Sequence, residues 1–306
     1  MWKKIAYSTL LVGVVAAAAA VGCSSGGGPT DKPDFATPGD GGPPGDGGDM
    51  NVMKAYMTGT PHEIDTNTIG GTFGKGAAVQ VAGLIAITPV SGFSANSNKD
   101  CKYEVWAQDP ACTTAPCGIL LVTAGITNPG GTGQFCSFSY AAMTSLKNVQ
   151  KGDKLDVKGV VDTFSSTGMA SDMTPSGTVV QHEIALDEVT IVMSGQALPA
   201  ATVVTDANPS LFVPYSGTGW AMYEGMLISL KPASGKFTTT LDAFGGWNCA
   251  PGGAHFADTF TTFFRPDGAA ANMYPASGSM FSSIQGVVGL TFGGGILPTN
   301  PSDFVP

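Results

Sequence analysis

The chain has 306 residues, among them 43 glycines, and its 14 lysine and arginine residues against 23 aspartate and glutamate residues give a formal net charge of −9 at pH 7. Arg265 is the only arginine. Because proteins bind nucleic-acid phosphates largely through lysine and arginine, this composition disfavours a nucleic-acid partner. Abundant glycine with few charged residues indicates short strands joined by turns.

The first 22 residues have the composition of an export signal. Lys3 and Lys4 precede an uncharged apolar run over residues 5–21, and small residues stand directly before Cys23. A basic start, an apolar run and small residues at a cleavage point are typical of secretory signals. A permanent membrane-spanning helix is the alternative, because the run approaches the roughly 20 residues that a span needs.

The sequence Val21-Gly22-Cys23 resembles the lipobox of bacterial lipoproteins. The resemblance implies cleavage before Cys23, a diacylglycerol on its thiol and acylation of the new amine. Several acyl chains anchor a protein far more firmly than one. Ser24 stands where an aspartate would favour inner-membrane retention in that family, so we expect a lipid-anchored protein of the bacterial cell envelope, at the outer membrane.

Residues 23–67 are expected to form a disordered tether after the lipidated cysteine. Residues 39–49 contain only glycine, proline and aspartate, which cannot bury enough apolar surface to fold. The aspartates suggest calcium binding as an alternative, but the spaced carboxylates and closing glutamate of an EF-hand loop are missing. We therefore expect a solvated linker.

Residues 68–197 are predicted to contain five strands and one short helix. Alternating apolar residues define the strands, and Gly83 and Gly159 interrupt two of them, as glycines do at bulges or bends. The predicted strands span residues 78–88, 102–108, 118–123, the part of residues 151–164 that follows a tight turn at Gly152-Asp153, and 182–193, and the helix spans residues 141–150.

Residues 198–306 are predicted to repeat this arrangement weakly. Residues 198–204 form an extended connector, and strands are predicted over residues 220–230, 236–241, 255–265 and 281–292. Gly159-Val160-Val161 and Gly286-Val287-Val288 occupy similar places in the two halves.

Five cysteines remain once Cys23 is assigned to the lipid, which is an odd number for an oxidising compartment. Cys112 and Cys117 are expected to form a disulfide across a hairpin. The second expected pair is Cys101 with Cys136, and Cys249 is left free. A zinc site is the alternative, but the paired spacing of zinc-binding cysteines and a neighbouring histidine are missing.

The glycine-bent strands resemble the OB-fold modules of secreted bacterial nucleases of the endonuclease/exonuclease/phosphatase type. The matching segments are residues 79–85, 152–161, 198–199 with 223–228, 286–288, 292–293, 297–298 and Asp303. This resemblance implies an all-β fold with two five-stranded OB-like barrels in tandem, over residues 68–197 and 198–306.

In those nucleases a catalytic domain follows the modules, whereas Pro306 ends this sequence. The resemblance therefore supplies no catalytic residues, and we expect a protein that is not an enzyme. No cofactor and no metal is expected either. A centre of convergent carboxylates and histidines would contradict this expectation.

The three histidines are expected to lie apart from any reactive centre. His62, Glu63 and Asp65 are assigned to a solvated loop, although they are able to bind a metal loosely. His182 and Glu183 are strand neighbours and so point to opposite faces. His255, with Asp258 nearby, is assigned to the surface.

Tyr103 and Trp106 are candidates for stacking against a base or a sugar, as aromatic residues do on OB barrels. Burial in the core is the more common role of such residues. The favoured function is a non-enzymatic binding or structural role at the membrane, with a protein, a glycan or single-stranded nucleic acid as the ligand. The alternative is a nucleic-acid-binding accessory protein related to secreted nucleases, which the acidic charge disfavours.

Overall fold

The computed structural model describes residues 54–66, 71–96, 100–127, 144–164, 181–206, 220–232, 237–241, 247–250, 254–256, 278–290 and 295–306. These residues are predominantly β, as the sequence predicts, and their one α-helix is short. The helix, α1, spans Pro61–Asp65. The strands are β1 Met57–Thr58, β2 Ala78–Ala86, β3 Ser91–Asn96, β4 Asp100–Gln108, β5 Gly118–Val122, β6 Ile126–Thr127, β7 Lys154–Phe164, β8 Gln181–Met193, β9 Thr202–Asp206, β10 Leu227–Pro232, β11 Phe237–Leu241, β12 Trp247–Ala250, β13 Ala254–Phe256, β14 Met280–Phe281, β15 Ser283–Gly289, β16 Gly295–Leu297 and β17 Phe304–Val305.

The first sheet has the strand order β1-β2-β7-β8-β5-β4-β3, with β6 paired to β4. Strand β2 also pairs with β4 through Ile85 and Ala86, so the pairings run from β2 through β7, β8, β5 and β4 back to β2. All of these pairings are antiparallel except that of β5 with β8. A core of aliphatic side chains with Tyr103 lies against this sheet.

Glycine bends the first sheet at the two places that the sequence predicts. The register of β2 against β7 shifts between Val81 and Leu84, around Gly83, whose φ is +76°. The register of β7 against β8 shifts between Lys158 and Gly159. A Cβ on Gly159 would lie 2.3 Å from the carbonyl oxygen of Ala185, so only glycine allows β8 to approach this closely.

Two further sheets contain the C-terminal strands. One has the order β16-β15-β10-β9 with β17 paired to β15, and the other has the order β13-β12-β11-β14. Strand β9 pairs with β10 in parallel, so the predicted extended connector is a sheet strand. Residues Trp106 and Leu120 of the first sheet share a buried cluster with Leu227, Val287 and Leu297.

Several segments differ from the sequence prediction, among them strands β3 and β12, where no strand is predicted. Strands were expected from Thr68 onwards, but β1 and α1 precede that residue, and Ile64 of α1 is completely buried in the first core. In the predicted helix, residues 144–150 are not helical, and residues 145–148 form a turn. The strand predicted from Trp220 begins only at Leu227, because Trp220–Tyr223 form a 3-10 helix and Gly225 adopts a φ of +65°.

Gly225 is in direct backbone contact with Gly118 at the start of β5. A Cβ on Gly118 would lie 1.9 Å from the Gly225 carbonyl oxygen, and a Cβ on Gly225 would lie 2.4 Å from the Gly118 carbonyl carbon. Both distances are far below van der Waals contact. The chain before β10 can therefore meet β5 only if both residues are glycine.

We expect Gly225→Ala to lower the free energy of unfolding by about 1–3 kcal/mol more than Gly195→Ala does. Gly195 is the matched control because its φ of +69° imposes the same backbone strain, whereas its Cβ would meet no atom within 4 Å. Urea denaturation of the two variants and the wild type measures this difference. Equal losses in the two variants would contradict the close backbone contact.

Candidate functional site

Helix α1 forms because its first turn satisfies its own backbone donors. The side chain of Thr60 accepts a hydrogen bond from the Glu63 backbone, and the Glu63 carboxylate accepts one from the Thr60 backbone, with Pro61 in the first turn. This is a capping box. The burial of Ile64 then holds the helix against the first core, and Asp65 is its last residue.

His182 lies one residue into β8. By strand alternation its side chain shares a face with Ile184, which is completely buried in the first core, and Glu183 points to the other face. The expectation that His182 and Glu183 do not act on one substrate stays a prediction. His182 instead meets residues from two other segments of the chain.

Glu224 lies between the 3-10 helix and Gly225. The backbone contact of Gly225 with Gly118 therefore also fixes the position of Glu224. Its Oε1 atom accepts hydrogen bonds from the Gln181 side-chain amide and from the His182 backbone N–H. Gln181 also accepts a hydrogen bond from the Leu290 backbone at 2.7 Å. These contacts bring the carboxylate of Glu224 to the start of β8.

Asp65, His182 and Glu224 converge in one cluster. The His182 Nδ1 atom lies 3.1 Å from Glu224 Oε2 and 3.8 Å from Asp65 Oδ1. One potential ligand atom from each residue lies within 4.8 Å of the other two. The side chains of Asp65 and Glu224 are only 1% and 3% exposed, whereas that of His182 is 19% exposed.

The Asp65 carboxylate is buried without a hydrogen bond to either oxygen from the described residues. Burial raises its pKa well above the ordinary value, and the neighbouring Glu224 charge raises it further. A buried polar group without a partner is unfavourable, and a buried unpaired charge is more so. The Asp65 site therefore favours either a proton or a cation close to the carboxylate.

One imidazole nitrogen and two carboxylate oxygens form a donor set suited to a divalent transition metal. The expectation of a solvated Asp65 is therefore wrong, since tertiary contacts bury it beside His182 and Glu224. The Thr60-Pro61-His62-Glu63 pattern is a helix-start signal that marks this segment as ordered. Nothing comparable in the sequence points to Glu224.

The other predicted site residues lie apart from this cluster or outside the described residues. Glu63 caps α1, and His62 is half-buried on the same helix. His255 lies in β13, but its side chain is outside the described residues, as are all of Asp258 and Cys23.

The disulfide between Cys112 and Cys117 is confirmed, and it spans the connection between β4 and β5. Cys101 is disulfide-bonded as well. Its expected partner Cys136 and the side chain of Cys249 are outside the described residues.

Tyr103 and Trp106, the candidates for stacking, have completely buried side chains. Tyr103 lies in the first core, and Trp106 lies in the cluster shared with the C-terminal strands. Neither ring is therefore presented to a base or a sugar in solution. Alternation along β4 places the two rings on opposite faces of the strand. Tyr103 therefore packs in the first core, and Trp106 packs in the cluster shared with the C-terminal strands.

A second group of buried charges lies on the β4 face opposite Tyr103. Burial raises the pKa of Glu104 to about 8, although a hydrogen bond from the Ser91 hydroxyl opposes the shift and the Glu183 charge adds to it. Burial likewise raises the pKa of Glu183 to about 7, and the nearby Lys102 charge opposes this increase. Burial lowers the pKa of Lys102 itself.

Glu104 should make the protein less stable as the pH rises. Its folded pKa of about 8 exceeds the ordinary 4.5, so the folded state binds more protons than the unfolded state between these values. The free energy of unfolding should then fall by up to about 1.4 kcal/mol per pH unit for this one group.

We expect Glu104→Gln to weaken this pH dependence and to raise stability at pH 8, because the amide is neutral and still accepts the Ser91 hydrogen bond. Urea denaturation between pH 5 and pH 8 measures the slope. Glu188→Gln is the control, since Glu188 is exposed and pairs with Lys158 at 2.8 Å. A slope in Glu104→Gln equal to that of the wild type would contradict the assignment.

No helix in the described part of the chain has both the length and the apolar character needed to cross a membrane. Comparison with protein families, with curated proteins and with solved structures found no match to this chain.

Proposed function

We propose that the protein is a lipid-anchored protein of the bacterial cell envelope whose β-rich body has a non-enzymatic binding or structural role. The observation that carries this proposal is the sequence around Cys23, where an uncharged apolar run and small residues precede the cysteine. In the sequence, a glycine- and proline-rich segment of the composition typical of linkers lies between Cys23 and the first β strand. Ser24 favours the outer membrane.

We further propose that the body consists of two OB-like modules. The pairings of β2, β7, β8, β5 and β4 support the first, because an OB barrel is a five-stranded sheet whose strands return to the first. The second is supported by a parallel between Gly159 and Gly286. Gly159 lies in β7, which is antiparallel to β2, and Gly286 lies in β15, which is antiparallel to β10; a glycine stands two residues before β2 and before β10. A Cβ on Gly159 would lie 2.3 Å from a backbone atom of β8, and a Cβ on Gly286 would lie 2.7 Å from a backbone atom of β16.

The cluster of Asp65, His182 and Glu224 is the kind of convergence that would favour an enzyme. Its burial favours a structural role instead, because the carboxylates are 1% and 3% exposed and offer almost no surface to a substrate. Hydrolysis of a phosphate or carboxylate ester by the wild-type protein, lost on His182→Gln, would contradict a non-enzymatic role.

The partner that fits best is a protein or a glycan of the envelope. Removal of the leader lysines takes the formal net charge from −9 to −11, which repels nucleic-acid phosphates. Because Tyr103 and Trp106 are completely buried, neither ring is accessible for stacking against a base. The nucleic-acid alternative is accordingly the weaker one.

We expect Cys23→Ala to abolish membrane attachment through lipid, because no thiol remains to carry the diacylglycerol. Mass spectrometry of protein extracted from cells should find the wild-type chain beginning at an acylated Cys23 and the variant without acyl groups. Ser25→Ala is the matched control and should behave as the wild type. An unmodified thiol or an intact leader in the wild-type protein would contradict the proposal.

We expect the purified wild-type protein to leave a labelled single-stranded oligonucleotide unshifted in a gel at low salt, where electrostatic attraction is strongest. The Cys23→Ala protein, free of lipid, serves as the control for trapping by detergent micelles. Retention that weakens as salt is added would instead support the nucleic-acid alternative.

A further inference from the structure

We propose that Asp65, His182 and Glu224 bind one divalent transition-metal cation of the zinc class. The site joins three segments that are distant in sequence, namely the end of α1, the start of β8 and the residue before Gly225. It goes beyond the anchoring and binding roles proposed above, because neither of those requires a metal.

The two distances from the His182 nitrogen to the carboxylate oxygens are close to the ligand separations around such a cation, and all three donor atoms lie within 4.8 Å of one another. Zinc lies about 2.0–2.2 Å from nitrogen and oxygen ligands, so tetrahedral ligands are separated by about 3.4 Å. The His182 Nδ1 atom lies 3.1 Å from Glu224 Oε2 and 3.8 Å from Asp65 Oδ1, on either side of this separation. Small side-chain movements are enough to close the site around a metal.

The Asp65 carboxylate provides independent support. Its side chain is 1% exposed, and neither oxygen has a hydrogen-bond partner among the described residues, although Oδ1 faces the His182 ring. Native proteins rarely leave a buried carboxylate in this state, because desolvation is then uncompensated. A divalent cation between Asp65 and Glu224 provides both the missing contact and the opposite charge.

Glu224 is already oriented for such a role. Its Oε1 atom accepts hydrogen bonds from the Gln181 side chain and the His182 backbone, which leaves Oε2 directed towards the His182 ring. Hydrogen bonds of this kind hold a ligating carboxylate in place and are a usual feature of metal sites. Gln181 is thus assigned as a positioning residue.

The donor set selects the class of metal. Calcium and magnesium prefer oxygen ligands alone, whereas imidazole favours zinc and its transition-metal neighbours. One nitrogen and two oxygens from protein leave a further coordination position, and no fourth His, Cys, Asp or Glu side chain among the described residues joins the cluster. We expect a single water molecule in that position, while the near-complete burial of the two carboxylates leaves little room for a substrate.

The test uses the full chain, extracted in detergent, treated with a chelator and dialysed against zinc, with bound metal measured by mass spectrometry and by calorimetric titration. Wild-type protein should bind one equivalent. Asp65→Asn and His182→Gln should each weaken binding by at least about tenfold, since each removes one of three ligands. Glu188→Gln, which removes an exposed carboxylate from the same strand, should bind as the wild type does.

Thermal melting separates a metal site from a simple ion pair between His182 and the carboxylates. Zinc at 100-fold excess over its dissociation constant should raise the wild-type melting temperature by roughly 5–10 °C and that of Asp65→Asn hardly at all. Without metal, Asp65→Asn should melt no lower than the wild type, because asparagine is neutral and neither Asp65 oxygen has a hydrogen bond to lose among the described residues.

Three results would overturn the proposal. The first is the absence of a stoichiometric metal in the wild-type protein. The second is undiminished zinc affinity in both Asp65→Asn and His182→Gln, which would place the metal elsewhere. The third is a metal-free Asp65→Asn variant that melts well below the wild type together with no effect of zinc, which would identify an ion pair to protonated His182.

Discussion

The backbone contact between Gly118 and Gly225 is the constraint on which the arrangement of the site depends. With a side chain on either residue, the segment before β10 would be pushed away from the start of β5. The contact sets the position of Glu224, one residue earlier, whose carboxylate then accepts hydrogen bonds from Gln181 and from the His182 backbone. The segment before β10 is thereby joined to β5 by close backbone packing and to the start of β8 by a carboxylate.

Burial of charge is the second theme of this structure. Asp65 and Glu224 lie within a few ångströms of one another, and Glu104 and Glu183 form another buried pair on the outer side of the first core. Burial raises the pKa of Asp65, Glu104 and Glu183. The Glu224 charge adds to the effect on Asp65, and the Glu183 charge adds to the effect on Glu104. The two pairs differ in their partners, because Glu104 has the Ser91 hydroxyl and Asp65 has no comparable donor among the described residues.

Local pattern is sufficient to predict most of the first sheet. Strands β2, β4, β5, β7 and β8 lie within two residues of their predicted bounds, since alternation of apolar residues reflects a sheet with a buried face. The bends at Gly83 and Gly159 and the disulfide between Cys112 and Cys117 also follow from sequence. Helix α1 is not predicted, although the sequence contains its capping box, because the glycine- and proline-rich composition before it indicates a disordered tether.

The sequence by itself determined the predominantly β character, the glycine bends and the hairpin disulfide, since each depends on residues close together in the chain. Only the tertiary structure decided the cluster of Asp65, His182 and Glu224, whose members come from α1, β8 and the 3-10 segment. It also decided the 3-10 helix at Trp220, where an apolar run suggested a strand. Neither the cluster nor the 3-10 helix can be predicted from local sequence patterns. Long-range contacts, such as that of Gly118 with Gly225, determine which distant residues meet.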